Sequence, residues 1–405
     1  MPVVCMYFQA HQPRRLRPYS FFDINHVKTY DDAKANRLLL NKVAQNCYLP
    51  ANRILLKQLR RHKGAFRLAF SLTGVLLEQL EKDRPDVLDS FRELADTGCV
   101  EFLNETYCHS LAFLFSHVEF KQQVLRHKRK IKSLFGRTPT TFRHTELIYN
   151  NDLAHVIEKM GYRAILAEGA ERILNGRTPD RIYQPAGCQT LQLLLRNCRL
   201  SDDIAFRFSD RSSPEYPLTA QKFAQWIHRI DADHAVVNLF MDYETFGEHN
   251  SADSGIFKFL ESFPAEIIKH PRFRFQTPGE AAASHDPVAA LNAPDALSWA
   301  DQERDLTAWL GSAMQNDAIQ TLYKLETAVR RRGGQYLQTW RMLQTSDHFY
   351  YMCTKRFADG DVHRYFNPYP SPYDAYINFM NILDDFSRRV KRKSSGSNEM
   401  KSTAA

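Results

Sequence analysis

The 405-residue chain is long enough for one large α/β domain with a smaller one beside it, and 43% hydrophobic and 12% aromatic residues fit a packed core, not a disordered chain. The formal net charge of +8 hints at nucleic acid, but Arg388, Arg389, Lys391, Arg392, Lys393 and Lys401 crowd the C-terminal end, so no nucleic-acid partner is expected. No apolar run approaches the roughly 20 residues of a membrane span, so no membrane partner is expected either. Seven cysteines without a CxxC pair read as reduced thiols. The opening MPVVCMYFQAHQP lacks a charged stretch followed by an apolar one, so no secretory signal is expected and the localisation reads as cytoplasmic.

Short apolar runs alternate with longer helical patterns along the first 280 residues or so. Expected strands are Val3–Phe8, Phe66–Ser71, Cys99–Leu103, Thr140–Arg143, Arg163–Ala167, Leu191–Leu195, Ala235–Met241 and Phe273–Gln276. Several are apolar throughout instead of alternating, the pattern of parallel strands covered on both faces. Helices are expected over Asn36–Arg61, Val75–Ala95, Val118–Phe135 and Asn151–Met160, the last closed by Gly161. Repeated β-then-α units of this length point to a barrel or an open doubly wound sheet. From about residue 300 the strand signals fade. Leu306, Trp309, Leu310, Ala313, Met314, Leu322, Leu325 and Val329 recur at helical spacing until Gly333-Gly334, and further helices are expected over Gln335–Tyr351 and Tyr373–Val390. The division expected is a barrel over 1–285, a helical domain over 286–390 and a disordered basic, Ser-rich tail over 391–405.

Ligands of parallel α/β folds bind at the carboxyl ends of the strands, where the following loops converge. His11 and Gln12 follow the first strand, and Glu105 and His109 follow a strand that itself carries Glu101. His144 and Glu146 follow the fourth, Glu168 the fifth, and Asp242 and Glu244 end the strand leading into FMDYETFGEH. A solvated loop explains any one of these and explains five poorly. Two carboxylates on separate strand ends suit glycoside hydrolysis, which needs one below the anomeric carbon and an acid beside the leaving oxygen, about 5–5.5 Å apart for a retaining mechanism or further apart for an inverting one. Glu146 and Asp242 are the natural pair, with histidines left to bind sugar hydroxyls and aromatic rings to stack on sugar faces.

HQP at 11–13, VEFLNETYCHS at 100–110, HTELIYNN at 144–151, MDYETFGEH at 241–249 and LSWADQERDLTAWLG at 297–311 together resemble the separate conserved regions of glycoside hydrolase family 57, in its shorter α-amylase-like members. The resemblance implies an α/β fold, an incomplete (β/α)7 TIM-like barrel followed by a helical domain that closes over the cleft. It implies a retaining mechanism on α-1,4-glucans or maltooligosaccharides without a cofactor or metal. It places the nucleophile on Glu146, the general acid/base on Asp242 and a region-one histidine on His11. The second region matches loosely, so Glu101, Glu105 and His109 share its substrate-binding role. Gln12, His144, Glu244, Trp299, Asp347 and His348 complete the expected substrate contacts.

Plainer readings stand beside these. Glu146 is also placed as an acid near the start of the Asn151 helix; His11 also reads as a core histidine or a metal ligand; Trp309 fits a helix core stripe. At the level of function, the same two carboxylates serve hydrolysis or 4-α-glucanotransfer. A zinc-dependent deacetylase or mannosidase and a catalytically silent glucan-binding protein are the competing classes.

Overall fold

A computed structural model of the chain describes residues 1–230, 233, 235–355 and 367–392. The strands are β1 (Val3–Ala10), β2 (Leu68–Leu72), β3 (Val100–Phe102), β4 (Thr141–Arg143), β5 (Ala164–Glu168), β6 (Ile182–Pro185), β7 (Gln192–Arg196), β8 (Val236–Asp242), β9 (Arg274–Phe275) and β10 (Ala290–Leu291). β1 is buried along its whole length, which is why VVCMYFQA does not alternate: both of its faces are covered. Parallel ladders run in the order β3-β2-β1-β8 and β7-β5-β4, with β9 pairing the start of β1.

Two seams close these ladders into a ring of β1, β2, β3, β4, β5, β7 and β8. At the first, Asn104 bridges to Phe142, with its N–H on the Thr141 carbonyl and the Arg143 N–H on its own. At the second, β6 pairs antiparallel with Leu193 and Leu194 and takes up part of the β7 edge. Beyond that pairing the Asn197 N–H donates to the Asn238 carbonyl, and the buried Asn238 amide donates to the Leu195 carbonyl at 2.9 Å. A polar side chain inside an apolar strand therefore completes a barrel that backbone pairing alone leaves open. The eight strands read from sequence are all present, with ends shifted by one or two residues. β6 and β10 lie outside that reading, because they are short edge pieces and Pro185 ends the first.

Three expected helices are interrupted, each for a local reason. Asn36–Arg61 resolves into Ala33–Val43, a π turn over Ala44–Tyr48 and Leu49–His62. Val75–Ala95 breaks at Arg84, because the residue before Pro85 is pushed out of the helical region. Gln335–Tyr351 breaks after Met342 and restarts at Ser346, which aims residues 345–347 back toward the barrel. The helices from Thr307 onward bury their own core around Trp309, Leu322, Val329, Trp340, Phe379 and Ile382. Leu16, Tyr19 and Tyr30, from the loop after β1, join that core, so the loop carrying His11 and Gln12 is pinned at its far side to the helices. No helix among the described residues is long and apolar enough to cross a membrane. The tail expected to be disordered lies, from residue 393, outside the described residues.

Candidate active site

The strand ends of β1, β4 and β8 open into one cleft, closed from the helical side by Trp299 and Asp347. Gln9, His11, Gln12, Pro13, Arg15, His109, Glu146, Asp242, Glu244 and His249 complete its lining. Of the residues read from sequence, the fold thus brings together His11, Gln12, His109, Glu146, Asp242, Glu244, Trp299 and Asp347.

Glu146 lies in a tight turn beyond β4, with φ 58° and ψ 26°, and Leu147 follows at φ 50°. Two consecutive left-handed non-glycine residues are unfavourable by about 1–2 kcal/mol each and persist only where surrounding contacts hold them. Here those contacts are explicit. The Trp299 backbone N–H donates to the Glu146 carbonyl at 3.2 Å and its indole N–H to Glu146 Oε2 at 2.8 Å. On the other oxygen, Oε1, His109 Nε2 lies at 3.1 Å and Ser346 Oγ at 3.3 Å. The Arg143 guanidinium stands over the Trp299 ring, 5.1 Å from its centre.

His109 joins this carboxylate to another. Its Nδ1 faces Glu105 Oε2 at 3.3 Å. Burial opposes the charge on His109, but its hydrogen bonds to Glu105 and Glu146 outweigh burial and raise it to about 9. Burial likewise opposes the charge on Glu105, yet His109 and Arg143 draw it down to about 2. His11 stacks on His109 with ring centres 4.0 Å apart, and burial followed by the His109 charge holds it below the usual histidine range. Neutral His11 bonds Thr73 Oγ1 at 2.9 Å and Asp347 Oδ2 at 3.0 Å.

The β8 end is built differently. In register, Asp242 lies opposite Gln9 of β1. Glu244 is fully buried, and burial together with the charge of Asp242 pushes it up to about 8. Tyr48 OH and Gln12 Nε2 both donate to its Oε1. The π turn in the long helix is what delivers these supports: Asn46 donates to Glu248, Cys47 Sγ to the Tyr243 carbonyl and Tyr48 to Glu244. Gly247, at φ 107°, lets the loop press against this turn, since a Cβ there would lie 2.0 Å from the Asn46 carbonyl oxygen.

The fold places the other expected residues elsewhere. Glu101 sits within β3, held by Thr141 Oγ1 and the Gly279 N–H, away from the cleft lining. His144 turns into the layer between strand and helix, among Phe113, Phe120 and Phe142, and burial drops it to about 3. His348 packs on Phe379, and burial drops it to about 4. Glu105 lies behind His109, outside the cleft lining, and is bonded to that lining through His109 and Gln9. Glu168 pairs with Arg196 at 3.1 Å, and Glu248 with Lys42 at 3.0 Å. Ser346, Tyr48, Thr73 and Gln9 escape the sequence reading, since nothing in their local pattern sets them apart from ordinary helix and strand positions.

His11, His109 and Asp347 present ligand-type atoms within 4.8 Å of one another. All four ring nitrogens already face a partner: Thr73, Asp347, Glu105 and Glu146. The two rings are tilted by only 25°, so their lone pairs run side by side instead of converging as a tetrahedral zinc site requires. This donor set fits hydrogen bonding better than metal ligation.

The model of the family described as glycosyl hydrolase family 57 matches residues 5–294. A relative from Methanocaldococcus jannaschii named "Putative alpha-amylase" is 39% identical over 398 residues, covering 95% of this chain and 84% of the relative. Among solved structures, the 4-alpha-glucanotransferase of Thermococcus litoralis superposes with a TM-score of 0.71 at 14% identity over 97% of this chain. This chain spans only 60% of that one. A branching enzyme of Thermococcus kodakaraensis follows with a TM-score of 0.69 at 14% identity, over 96% of this chain and 90% of its own. An alpha-amylase of Thermotoga maritima gives 0.61 at 12% identity, over 96% and 93%. At such identities these structures speak for the fold.

Proposed function

The chain belongs to glycosyl hydrolase family 57, and from that premise we propose that it is a retaining glycosidase of α-amylase type, acting on α-1,4-glucans through Glu146 as nucleophile and Asp242 as general acid/base. The observation that carries the reading is the opposite treatment of two carboxylate positions on one cleft. Glu146 is surrounded by the Trp299 indole, the Ser346 hydroxyl and the His109 ring, as an anionic nucleophile needs, whereas Asp242 lies half-buried beside the fully buried Glu244, which is raised to about 8.

The steps follow. The Glu146 carboxylate attacks the anomeric carbon while the glycosidic C–O bond breaks and Asp242 gives its proton to the leaving oxygen. Glu146 is then esterified to the sugar. Asp242, now a carboxylate, takes a proton from water as the water oxygen attacks the same carbon, and the ester bond breaks to restore Glu146. His11, Gln12 and Asp347 line the cleft as partners for sugar hydroxyls, and Trp299 offers a ring face.

The test is product analysis with maltoheptaose, with and without EDTA, for the wild type, Glu146→Gln and Asp242→Asn. Shorter maltooligosaccharides in EDTA, with both variants inactive, support the reading. Products longer than the substrate reassign it to 4-α-glucanotransfer by the same pair, and loss of activity in EDTA moves it to a metal enzyme. Binding of glucans without any turnover leaves a glucan-binding protein.

A further inference from the structure

Glu105 lies outside the cleft lining, is fully buried, and yet is wired to it. Ser71 Oγ and Gln9 Nε2 both donate to its Oε1, which fixes the carboxylate plane. Its Oε2 is left for His109 Nδ1 at 3.3 Å, and the opposite nitrogen of that ring meets Glu146 Oε1 at 3.1 Å. One imidazole thus spans two carboxylates. We propose that Glu105 is a positioning residue for the reaction: through the His109 ring, it keeps the Glu146 carboxylate ionised and aimed at the cleft. The inference rests on the reading of Glu146 as nucleophile.

The plainer role for Glu105 is as counter-charge to the buried Arg143. The geometry favours His109, because Arg143 Nη1 stands 3.9 Å from Oε2, beyond hydrogen-bond reach. Other groups face the relay as well. His127 Nδ1 accepts from the Glu105 backbone N–H, His11 stacks on His109, and Asp347 holds His11. Tyr7 donates to Gln9 behind Glu105. Of these charged partners, only Glu105 and Glu146 bond the His109 ring. With both anionic, the ring keeps its two protons and donates to each. Without the Glu105 charge it sheds one at lower pH, and its grip on Glu146 weakens as that proton leaves.

Glu105→Gln preserves size and the bond from Ser71 while removing the charge. Ring nitrogen-15 NMR of histidine-labelled protein, with the His109 signal assigned by its loss in His109→Gln, is expected to show His109 titrating about two pH units lower in Glu105→Gln. On maltoheptaose, the ratio of wild-type to variant kcat should then rise about tenfold between pH 6 and pH 8, with KM within about threefold. In the His109→Gln background the same substitution should produce no pH-dependent change. Glu105→Asp, which keeps the charge, should titrate between wild type and Gln and serves as the readable variant if Gln does not fold. An unchanged His109 titration, or a kcat ratio flat with pH, overturns the proposal and leaves Glu105 a structural counter-charge. A wild type inert toward maltoheptaose overturns the functional reading instead, while the NMR titration still decides whether Glu105 controls His109.

Discussion

The ends of β4 and β8 offer the same kind of group, a carboxylate just beyond an apolar strand, in contrasting surroundings. At β4, Glu146 takes hydrogen bonds from an indole, a hydroxyl and an imidazole that carries charge, with Arg143 over the indole ring. At β8, Asp242 shares its surroundings with buried Glu244, which stays protonated at neutral pH against Tyr48 and Gln12. The two ends differ in their partners: donors and a charged imidazole face the carboxylate at β4, whereas at β8 burial first, and then the neighbouring Asp242 charge, favour a retained proton on Glu244.

Removing the carboxylate at the β4 end breaks the contrast most completely, and Glu146→Gln should reduce turnover on the order of 10⁴-fold or more in single-turnover assays. Asp242→Asn should reduce it by about 10²–10⁴-fold, most severely for substrates with poor leaving groups, a dependence that activated glycosides check directly. Trp299→Phe keeps a ring over the cleft but deletes the indole donor to Glu146. A hydrogen bond to a charged group contributes about 1.5–3 kcal/mol, so kcat should fall by about 10–100-fold with a smaller change in KM.

Smaller effects sharpen the contrast through pH. Glu244 is raised from 4.5 to about 8, so the native state holds more protons than the unfolded chain across that window, and stability falls as pH rises through it. His109, raised from 6.5 to about 9, likewise stabilises below about 6.5 and loses that contribution as pH climbs through 9. Glu105, lowered to about 2, acts on the acid side, where its contribution disappears as pH falls. Thermal melts should therefore show a lower Tm at pH 9 than at pH 7, and Glu244→Gln should flatten that slope. Least affected in activity should be Glu101→Gln. It sits on the same strand as the segment leading to Glu105 but bonds Thr141, Gly279 and Thr277, outside the cleft lining, so it should lose about 1–3 kcal/mol of stability and leave kcat unchanged.

The strand ends were legible because continuous apolar runs announce buried parallel strands, and the loops after them converge on the cleft. Within a strand end, face was the harder question. Phe142 and His144 share a side by the two-residue period, and both turn outward to the helix layer, while Arg143 between them turns inward under Trp299. That period was readable and separates His144 from the cleft. A comparable one-position rule divides Asp347, which lines the cleft, from His348, which meets Phe379. No pattern announced Ser346 or Tyr48, which reach their carboxylates because one helix restarts and another carries a π turn.

By itself, the sequence determined the layer architecture, the strand ends and the residue types available there, because periodicity and chain breakers are local properties. Tertiary structure alone decided the electrostatic states around the cleft, with Glu244 and His109 raised and Glu105 lowered. Those states depend on burial and on partners brought from far along the chain: Trp299 and Ser346 onto Glu146, Tyr48 and Gln12 onto Glu244, and Glu105 onto His109. Electrostatic free energy depends on distances of a few ångströms and on excluded water, and a linear sequence specifies neither until the barrel has closed.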